Sequence, residues 1–288
     1  MILDTLAAAA KARIAKLKKQ KSLAAVREEA EGIYNEESVD SGFLTKGSFG
    51  GKADRQEAYE GKESKRTNRF SVNLQRPSLN FICECKKASP SKGLISPEFH
   101  YLEIAKSYEA GGAAAISVLT EPEYFLGSDE YLKEIAAQVD LPVLRKDFTV
   151  SEYQIYEAKT LGASAILLIC SILSPVQLQE FRLAAESVGL DVLVETHDAG
   201  EVATALRSGA KIIGINNRNL KDFTVDINTC LQLRAEIPDD RICIAESGVR
   251  TENDIRRLKA EGFNGVLIGE SLMRSGNPEE MLRKLKEA

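Results

Sequence analysis

A regular alternation of two patterns, from residue 79 to residue 288, constrains the fold of this chain most strongly. Short apolar runs typical of buried strands begin near residues 81, 113, 142, 164, 190, 211, 241 and 264. Segments with helical periodicity follow them at residues 98–110, 129–139, 151–161, 175–188, 199–208, 226–235, 252–260 and 278–286. Strands that alternate with helices are typical of parallel βα units, in which a helix returns the chain to the start of the next strand.

A weak internal repeat supports this reading. Glycine stands where four of the helices are expected to stop, at residues 111–112, 162, 209 and 262. Glycine suits the left-handed backbone position that closes a helix. The runs that follow are apolar throughout, as expected for strands covered on both faces. We therefore predict an α/β fold, a (β/α)8 TIM barrel over residues 79–288. A doubly wound open sheet is the alternative, but the glycine-rich fingerprint that usually follows its first strand is absent.

Residues 1–78 are predicted to form an N-terminal helical extension and a connector. Apolar residues recur at helical spacing within residues 3–31, and no proline interrupts them. Residues 35–68 are rich in glycine and charge, which predicts a connector with room for a short helix over 53–59. The extension has too few apolar residues for a core of its own. It must therefore dock on the barrel or remain mobile.

The composition excludes several classes of protein. Hydrophobic residues make up 43% and charged residues 28%, as in ordinary globular domains. The net charge of −5 argues against a nucleic-acid partner, and the longest uncharged stretch, 160–179, is broken by Gly162 and Pro175, which argues against a membrane span. An odd count of five cysteines favours free thiols in a reducing compartment. No secretory signal begins the sequence, so we expect a cytoplasmic protein, or a stromal one in a photosynthetic eukaryote.

In a barrel of this kind, reactive groups belong at the carboxyl ends of the strands. Polar residues stand at or near the end of every predicted strand: Glu84, Lys86, Thr120, Glu121, Arg145, Lys146, Asp147, Ser171, Glu195, Asn216, Asn217, Arg218, Glu246, Ser247, Glu270 and Ser271. A mixed ring of lysine and glutamate suits acid–base chemistry, because neighbouring charges and burial shift pKa values towards working pH. A structural network of ion pairs is the alternative.

The ends of the last two strands carry a second signal. Ser247-Gly248 and Gly269-Glu270 place small residues where barrels often bind phosphate through backbone N–H groups. Glycine lets the backbone approach an anion closely. The pair of motifs predicts a phosphate site at these two strands.

Three further groups are weaker candidates. Cys83 and Cys85 lack a second cysteine pair at zinc-site spacing, and we expect them to face outward against helices. His197 follows the fifth strand, where a loop or capping role is the stronger interpretation. Phe125 and Phe148 follow strand ends and are candidates to flank an aromatic substrate, although phenylalanine is more often a core residue. With only two histidines in the chain, we predict no metal site.

Six segments together resemble the indole-3-glycerol phosphate synthase family. They are residues 82–93 (ICECKKASPSKG), 116–121 (ISVLTE), 143–148 (VLRKDF), 214–220 (GINNRNL), 245–248 (AESG) and 267–273 (LIGESLM). The resemblance covers residues 79–288 almost continuously and the first 30 residues loosely. It implies ring closure of 1-(2-carboxyphenylamino)-1-deoxyribulose 5-phosphate, with loss of carbon dioxide and water, to give indole-3-glycerol phosphate.

The resemblance also implies roles for individual residues. Lys146 matches a general acid, and the other implied catalytic residues are Glu84, Lys86, Glu195 and Asn216. The implied substrate-binding residues are Ser89, Phe125, Phe148, Arg218, Leu220, Glu246 and Ser247, and those at the phosphate are Ser247, Gly248, Gly269 and Glu270, the last through its backbone N–H. Because the substrate's aniline nitrogen supplies the electrons, no cofactor or metal is expected. The family's first helices often cover the barrel mouth, which implies that residues 1–78 form a lid; a helix on the side or base of the barrel is the alternative.

Two other functions compete with this one. Phosphoribosylanthranilate isomerase is a phosphate-binding barrel of the same pathway, but it calls for a cysteine base at the first strand, where Glu84 and Lys86 are expected to face inward. A non-catalytic barrel that only binds a sugar phosphate or a partner protein would not need Lys146, Glu195 and Glu84 together. The expected partner is a small-molecule substrate, and the expected state is a monomer or a weak homo-oligomer.

Overall fold

A computed structural model describes residues 2–40, 69–219 and 222–288, and in it eight parallel strands close into a barrel. The strands are β1 (Asn80–Cys85), β2 (Ala115–Leu119), β3 (Val143–Lys146), β4 (Ala165–Ile169), β5 (Asp191–Thr196), β6 (Ile212–Asn216), β7 (Ile242–Glu246) and β8 (Gly265–Ile268). Each strand pairs with the next, and β8 pairs with β1 from Asn80↔Gly265 onward. The predicted (β/α)8 barrel is thus confirmed, with every strand beginning within two residues of its predicted start.

Helices cover the outside of the barrel and return the chain after each strand. They are α4 (Tyr101–Ala110), α5 (Asp129–Gln138), α6 (Glu152–Thr160), α7 (Pro175–Ser187), α8 (Ala199–Arg207), α9 (Asn228–Leu233), α10 (Glu252–Ala260), α11 (Glu270–Arg274) and α12 (Pro278–Glu287). The prediction of a helix over 226–235 was too long, because α9 is followed by a 3-10 turn at Arg234–Glu236. The short helix α11 was not predicted, since five residues show too little periodicity to detect.

Side chains alternate between two buried layers. In β1, Cys83 and Cys85 are buried in the layer between strands and helices, as predicted. Ile82, between them in the pleat, lies in the barrel interior with Leu144, Leu193 and Leu267. Because successive side chains of a strand point to opposite faces, Glu84 shares the inward face with Ile82. The alternation thereby directs one carboxylate of β1 towards the carboxyl-terminal mouth.

The N-terminal extension begins with two helices, and the helical pattern over residues 3–31 did not reveal the break between them. Helix α1 spans Ile2–Gln20 and α2 spans Leu23–Asp40. Between them, the Ser22 Oγ accepts a hydrogen bond from the backbone N–H of Ala25, at 3.2 Å. A serine in this position caps a new helix, because it satisfies one of the N–H groups that the first turn leaves free. Residues 41–68, including the predicted short helix over 53–59, lie outside the described residues.

The three helices of the extension contact three different parts of the barrel. Leu3 and Leu6 of α1 pack with the interior layer at the carboxyl-terminal mouth. Helix α2 lies along α6 on the side, where Lys159 donates to Glu37 at 2.6 Å. Helix α3 (Arg69–Leu74) lies at the opposite end, where the Asn73 side chain donates to the carbonyl of Ala114 at 2.8 Å. Helix α1 therefore docks at the mouth, whereas α2 docks on the side and α3 at the base. The sequence had left the mouth and the side or base as alternatives, and the extension occupies both. Within the described ranges, we find no helix with the length and apolarity needed to span a membrane.

Candidate active site

A buried lysine lies among three carboxylates at the carboxyl-terminal mouth. The ammonium of Lys146, at the end of β3, lies 3.4 Å from Glu195 Oε2 and 3.7 Å from Glu246 Oε2. Glu84 of β1 is the third carboxylate that acts on its charge. Four strands thus direct one cation and three acidic groups to a single point on the barrel axis. The pattern of polar strand ends predicted such a ring, and the structure brings these four members together.

The charges of this cluster are strongly coupled. Burial opposes the charged form of Lys146, but Glu195, Glu246 and Glu84 outweigh it and hold the pKa of the ammonium above its usual range. Burial also disfavours ionised Glu195, yet Lys146 and His197 hold the pKa of that carboxyl far below normal. Burial and the negative charge of Glu195 raise the pKa of Glu246. These shifts favour a charged lysine and an ionised Glu195, and of the two coupled carboxyl groups they favour the proton on Glu246.

Two glycines make room for the carboxylates. A Cβ added at Gly269 would lie 2.9 Å from both the Cβ and the Oε1 of Glu84, and one added at Gly214 would collide with Glu246 Oε1. Lys86 forms an ion pair with Glu84 Oε1. Gly214 opens one of the six segments that carry the family resemblance, but it was not among the predicted site residues because it lies inside an apolar run. Gly269 was predicted for phosphate, and the structure adds that it backs the Glu84 side chain.

One cavity collects most of the residues that the sequence singled out. Its lining includes Glu84, Lys86, Ser89, Phe125, Lys146, Phe148, Glu195, Asn216, Arg218, Ser247 and Glu270, together with Ile2, Leu3 and Leu6 of α1. The Phe125 and Phe148 rings, 6.1 Å apart between centroids, form part of an apolar wall. The family resemblance implied that the first helices cover the mouth, but it singled out no residue of α1 as lining the cavity. Leu220 lies outside the described residues.

A second, polar cavity adjoins the first at the ends of β7 and β8. Glu246, Ser247, Gly248, Gly269 and Glu270 line it, and Lys86 and Lys146 reach it as well. Four of these, Ser247, Gly248, Gly269 and Glu270, are the residues predicted to hold phosphate, and they lie together. The Glu270 carboxylate contacts Arg274 at 3.4 Å and Lys92 at 4.0 Å, so its side chain already has cationic partners. This agrees with the expectation that Glu270 would meet an anion only through its backbone.

The turn after β7 has an unusual backbone. Ser247 has a φ of 63° and Gly248 a φ of 80°, and a left-handed conformation costs energy for a residue other than glycine. The Asn217 side chain supports the turn, because its Nδ2 donates to the Ser247 carbonyl at 2.9 Å and its Oδ1 accepts from the Cys230 N–H at 2.9 Å. The sequence marked Asn217 only as part of a strand end. Its structural role is to fix this turn.

His197 does not cap the following helix, contrary to one of the roles expected for it. Asp198 is the N-cap residue of α8, and its side chain accepts from the N–H of Glu201 at 2.9 Å. His197 instead lies between two carboxylates, with Nδ1 3.0 Å from Glu201 Oε2 and Nε2 3.4 Å from Glu195 Oε1. The imidazole therefore contacts the buried charge cluster from behind. Sequence reasoning missed this contact because no partner motif surrounds the histidine.

Replacing Gly269 by alanine is expected to lower kcat by about 10- to 100-fold. The new methyl group would displace the Glu84 carboxylate, and a displacement of about 1 Å at a reacting group is costly. The matched control is Gly32→Ala in α2, where a Cβ meets nothing within 4 Å and alanine favours the helix. Steady-state kinetics on both variants provide the measurement. A normal kcat for the Gly269 variant would show that the position of Glu84 is unimportant.

The chain is similar to known proteins in sequence and in structure. The sequence model of the family described as indole-3-glycerol phosphate synthase matches residues 47–285. The chain is 48% identical to the indole-3-glycerol phosphate synthase of Ruminiclostridium cellulolyticum over 286 residues, which is 99% of each chain. It is also 48% identical to that of Endomicrobium trichonymphae over 287 residues, 100% of both. A relative from Lachnoclostridium phytofermentans is 55% identical over 217 residues, 75% of this chain and 80% of the relative.

Solved structures with little sequence identity share the fold. KGPDC from Streptococcus mutans superposes with a TM-score of 0.58 at 13% identity, covering 73% of this chain and 96% of that one. Thiamine phosphate pyrophosphorylase from Pyrococcus furiosus superposes with a TM-score of 0.54 at 15% identity, covering 73% and 94%. At this level of identity the likeness concerns the barrel alone.

Proposed function

Because this chain belongs to the indole-3-glycerol phosphate synthase family, we propose that its buried Lys146–Glu84–Glu195–Glu246 cluster carries out the family's reaction. The substrate is 1-(2-carboxyphenylamino)-1-deoxyribulose 5-phosphate, and the product is indole-3-glycerol phosphate. The reaction joins the ring carbon that bears the carboxylate to the C2 carbonyl carbon of the sugar. Carbon dioxide then leaves and restores the aromatic ring, and a final loss of water completes the indole.

The observation that carries the proposal is the buried ammonium of Lys146. Ring closure develops negative charge on the C2 oxygen, and a positioned acid must neutralise it. Lys146 stays charged because the surrounding carboxylates hold its proton, and it lines the same cavity as the two phenylalanines that would flank the aromatic ring. Lys146 would donate its proton to this oxygen and offset the charge on it.

The carboxyl groups divide the remaining proton transfers. Loss of water needs an acid for the departing hydroxyl and a base for a proton on the adjacent ring carbon. Glu246, whose pKa is raised by burial and by Glu195, is the member suited to donate. Glu195 is a poor base because its pKa is lowered, and it would instead stabilise positive charge as the aniline nitrogen releases electrons. Glu84, which forms an ion pair with Lys86, is the remaining carboxylate and would act as the base that removes the proton from the ring carbon.

The substrate's two ends fit the two cavities. The phosphate would bind at the backbone N–H groups near Ser247, Gly248 and Gly269, where Lys86 also reaches the cavity wall. The aromatic end would lie between Phe125, Phe148 and the apolar residues of α1. Arg218 lines the same cavity and would offset the carboxylate of the substrate, together with Lys86.

A turnover assay tests the proposal directly. Addition of the carboxyphenylamino substrate should generate the fluorescence of indole-3-glycerol phosphate, and phosphoribosylanthranilate should not be isomerised. The isomerase needs a cysteine base at the first strand, whereas Cys83 and Cys85 face the helices and burial raises the pKa of both thiols. No fluorescence with the first substrate, or turnover of the second alone, would refute the assignment.

We further propose that α1 acts as the lid of the site. Replacing both Leu3 and Leu6 by serine is expected to raise KM by about tenfold, because the two side chains line the substrate cavity and closure excludes water. Arg27→Ala in α2 is the matched control, since its guanidinium lies over the Tyr156 ring on the side of the barrel. KM and melting temperature should be measured on both variants. An unchanged KM with a lowered melting temperature would reject the lid.

Chelators are expected to leave turnover unchanged. The substrate supplies its own electrons, and no cluster of three or more histidine, cysteine or acidic residues suited to a metal occurs within residues 2–40, 69–219 and 222–288. The measurement is activity after dialysis against EDTA. Loss of activity that zinc or magnesium restores would contradict this prediction.

A further inference from the structure

Glu195 is held from two sides, and only one of them belongs to the cluster described above. Its Oε2 faces the ammonium of Lys146 at 3.4 Å, and its Oε1 faces Nε2 of His197 at 3.4 Å. We propose that His197, held by Glu201 as an imidazolium, is a positioning residue that keeps Glu195 ionised and thereby leaves the shared proton on Glu246. The inference rests on the proposed function, because it matters only if this carboxylate pair takes part in the reaction.

The orientation of the imidazole is fixed by Glu201. One oxygen, Glu201 Oε2, lies 3.0 Å from Nδ1 of the ring and accepts the backbone N–H of the same histidine at 2.8 Å. Glu201 sits in the first turn of α8, whose N-cap is Asp198. A residue held at its backbone and at one ring nitrogen has little freedom left. The second nitrogen, Nε2, is therefore directed at Glu195.

The charges around His197 favour the protonated ring. A cavity behind Glu195 is lined by His197 and by residues of α1, β6 and the loops that follow β4, β5 and β6. The charged groups that line this cavity beside the imidazole are Glu201, Asp198, Asp226 and Arg218. Burial disfavours the imidazolium, but the hydrogen bond to Glu201 and the negative charges of Glu195 and Glu201 raise the pKa of His197 to about 10. Nε2 forms no hydrogen bond within the described residues, so Glu195 acts on it through its charge at 3.4 Å.

Lys146 alone would not make the ionisation of Glu195 differ much from that of Glu246. Its distances to Glu195 and Glu246 are similar, 3.4 Å and 3.7 Å, so it favours ionisation of both to a similar degree. Of these two carboxylates, His197 forms an ion pair with Glu195 and, among the described residues, none with Glu246. The cation behind Glu195 therefore decides which member of the pair is ionised and which carries the proton. Glu246 Oε1 is buried beside Gly214 and has no hydrogen-bond partner among the described residues.

The test uses three single variants. His197→Asn removes the charge and keeps a polar group, Glu201→Gln weakens the hold on the imidazolium, and His100→Asn is the matched control. His100 is the only other histidine of the chain, and its side chain is 63% exposed and 3.8 Å from Glu98. Full pH profiles of kcat and kcat/KM should be recorded for each variant, together with its melting temperature.

The expected effect of replacing His197 is a shift of the acid limb of the pH–rate profile. Without the neighbouring positive charge, the pKa of Glu195 rises, so the ionised form is lost at a higher pH as the solution is made acidic. We expect the acid limb of the His197 variant to move up by about one pH unit, so that kcat falls by about tenfold at pH values below the limb and little at neutral pH. The Glu201 variant should move the limb in the same direction by less. The His100 variant should match the unmodified protein, and a merely structural role for His197 would lower the melting temperature without moving the limb.

A direct measurement of charge completes the test. In the His100→Asn background, His197 is the only imidazole, so nitrogen NMR reports its protonation without overlap. The ring should stay protonated from pH 6 to pH 8, and in the added Glu201→Gln variant it should begin to titrate. A neutral ring at pH 6, or an unshifted acid limb in a folded His197 variant that turns over substrate, would overturn this inference alone. Absence of turnover in the unmodified protein would instead refute the proposed function.

Discussion

Replacing Lys146 by methionine is expected to lower kcat by roughly 100- to 10,000-fold, the loss typical of a positioned general acid. The ammonium is the only cation within reach of both Glu195 and Glu246 among the contacts described above. Methionine keeps most of the length of the side chain but carries neither the proton nor the charge. We expect the fold to persist, because carboxyl groups left without a cation can take up protons, as Glu246 is already inclined to do.

Single-turnover kinetics should locate the loss in ring closure. Circular dichroism and a melting curve on the same preparation should show that the barrel is intact. A variant that keeps more than a tenth of the normal kcat would exclude Lys146 as the acid. A variant that unfolds would be replaced by Lys146→Arg, which keeps the charge, offers its protons from a different position and is also expected to be slow.

Replacing the neighbouring basic residue, Arg145, is expected to lower the stability of the protein more than its activity. Arg145→Met should lower the free energy of unfolding by about 3 to 5 kcal/mol, the cost of removing one partner from a buried ion pair. The side chain points away from the barrel axis, and its Nη2 lies 2.7 Å from Asp129 and 2.8 Å from Glu157. A third carboxylate, Asp147, lies 3.8 Å away. Without the guanidinium, these acidic groups would be left in a buried site with too little positive charge.

Urea unfolding measures this effect, and Arg283→Met is the matched control. Arg283 is exposed and pairs with Glu279 one helical turn away, a kind of contact that adds little stability. At a temperature where both proteins are folded, the Arg145 variant should retain far more activity than the Lys146 variant. If the Arg145 variant were as stable as the control, the buried ion pairs would contribute no net stability.

Much of the barrel could be predicted from local sequence. The eight strands appear within two residues of their predicted starts because a buried parallel strand requires a continuous apolar run. Glycines at 112, 162, 209 and 262 take the left-handed conformation expected where a helix ends. The alternation of β1 also separated Glu84, which faces inward, from Cys83 and Cys85, which face the helices. Strand periodicity alone was enough for that distinction.

Some features depended on contacts between distant parts of the chain. The break between α1 and α2 is a local feature, a serine cap, but helical propensity on both sides concealed it. Where α1, α2 and α3 would dock was undetermined, because each contacts residues more than 40 positions away in the sequence. The adjacent cations Arg145 and Lys146 look alike as sequence, and only the closed barrel assigns one to an outer ion-pair network and the other to the mouth.

By itself, the sequence determined the strands, the helices after them and the set of polar residues at the strand ends, because hydrophobic periodicity is a property of neighbouring residues. The tertiary structure alone decided the electrostatic state of those polar residues. The charge of Glu195 depends on Lys146 from another strand and on His197 behind it, and the space for Glu246 depends on Gly214. Coulomb interactions and excluded volume act between atoms that are close in space, and closure of the barrel brings these atoms together.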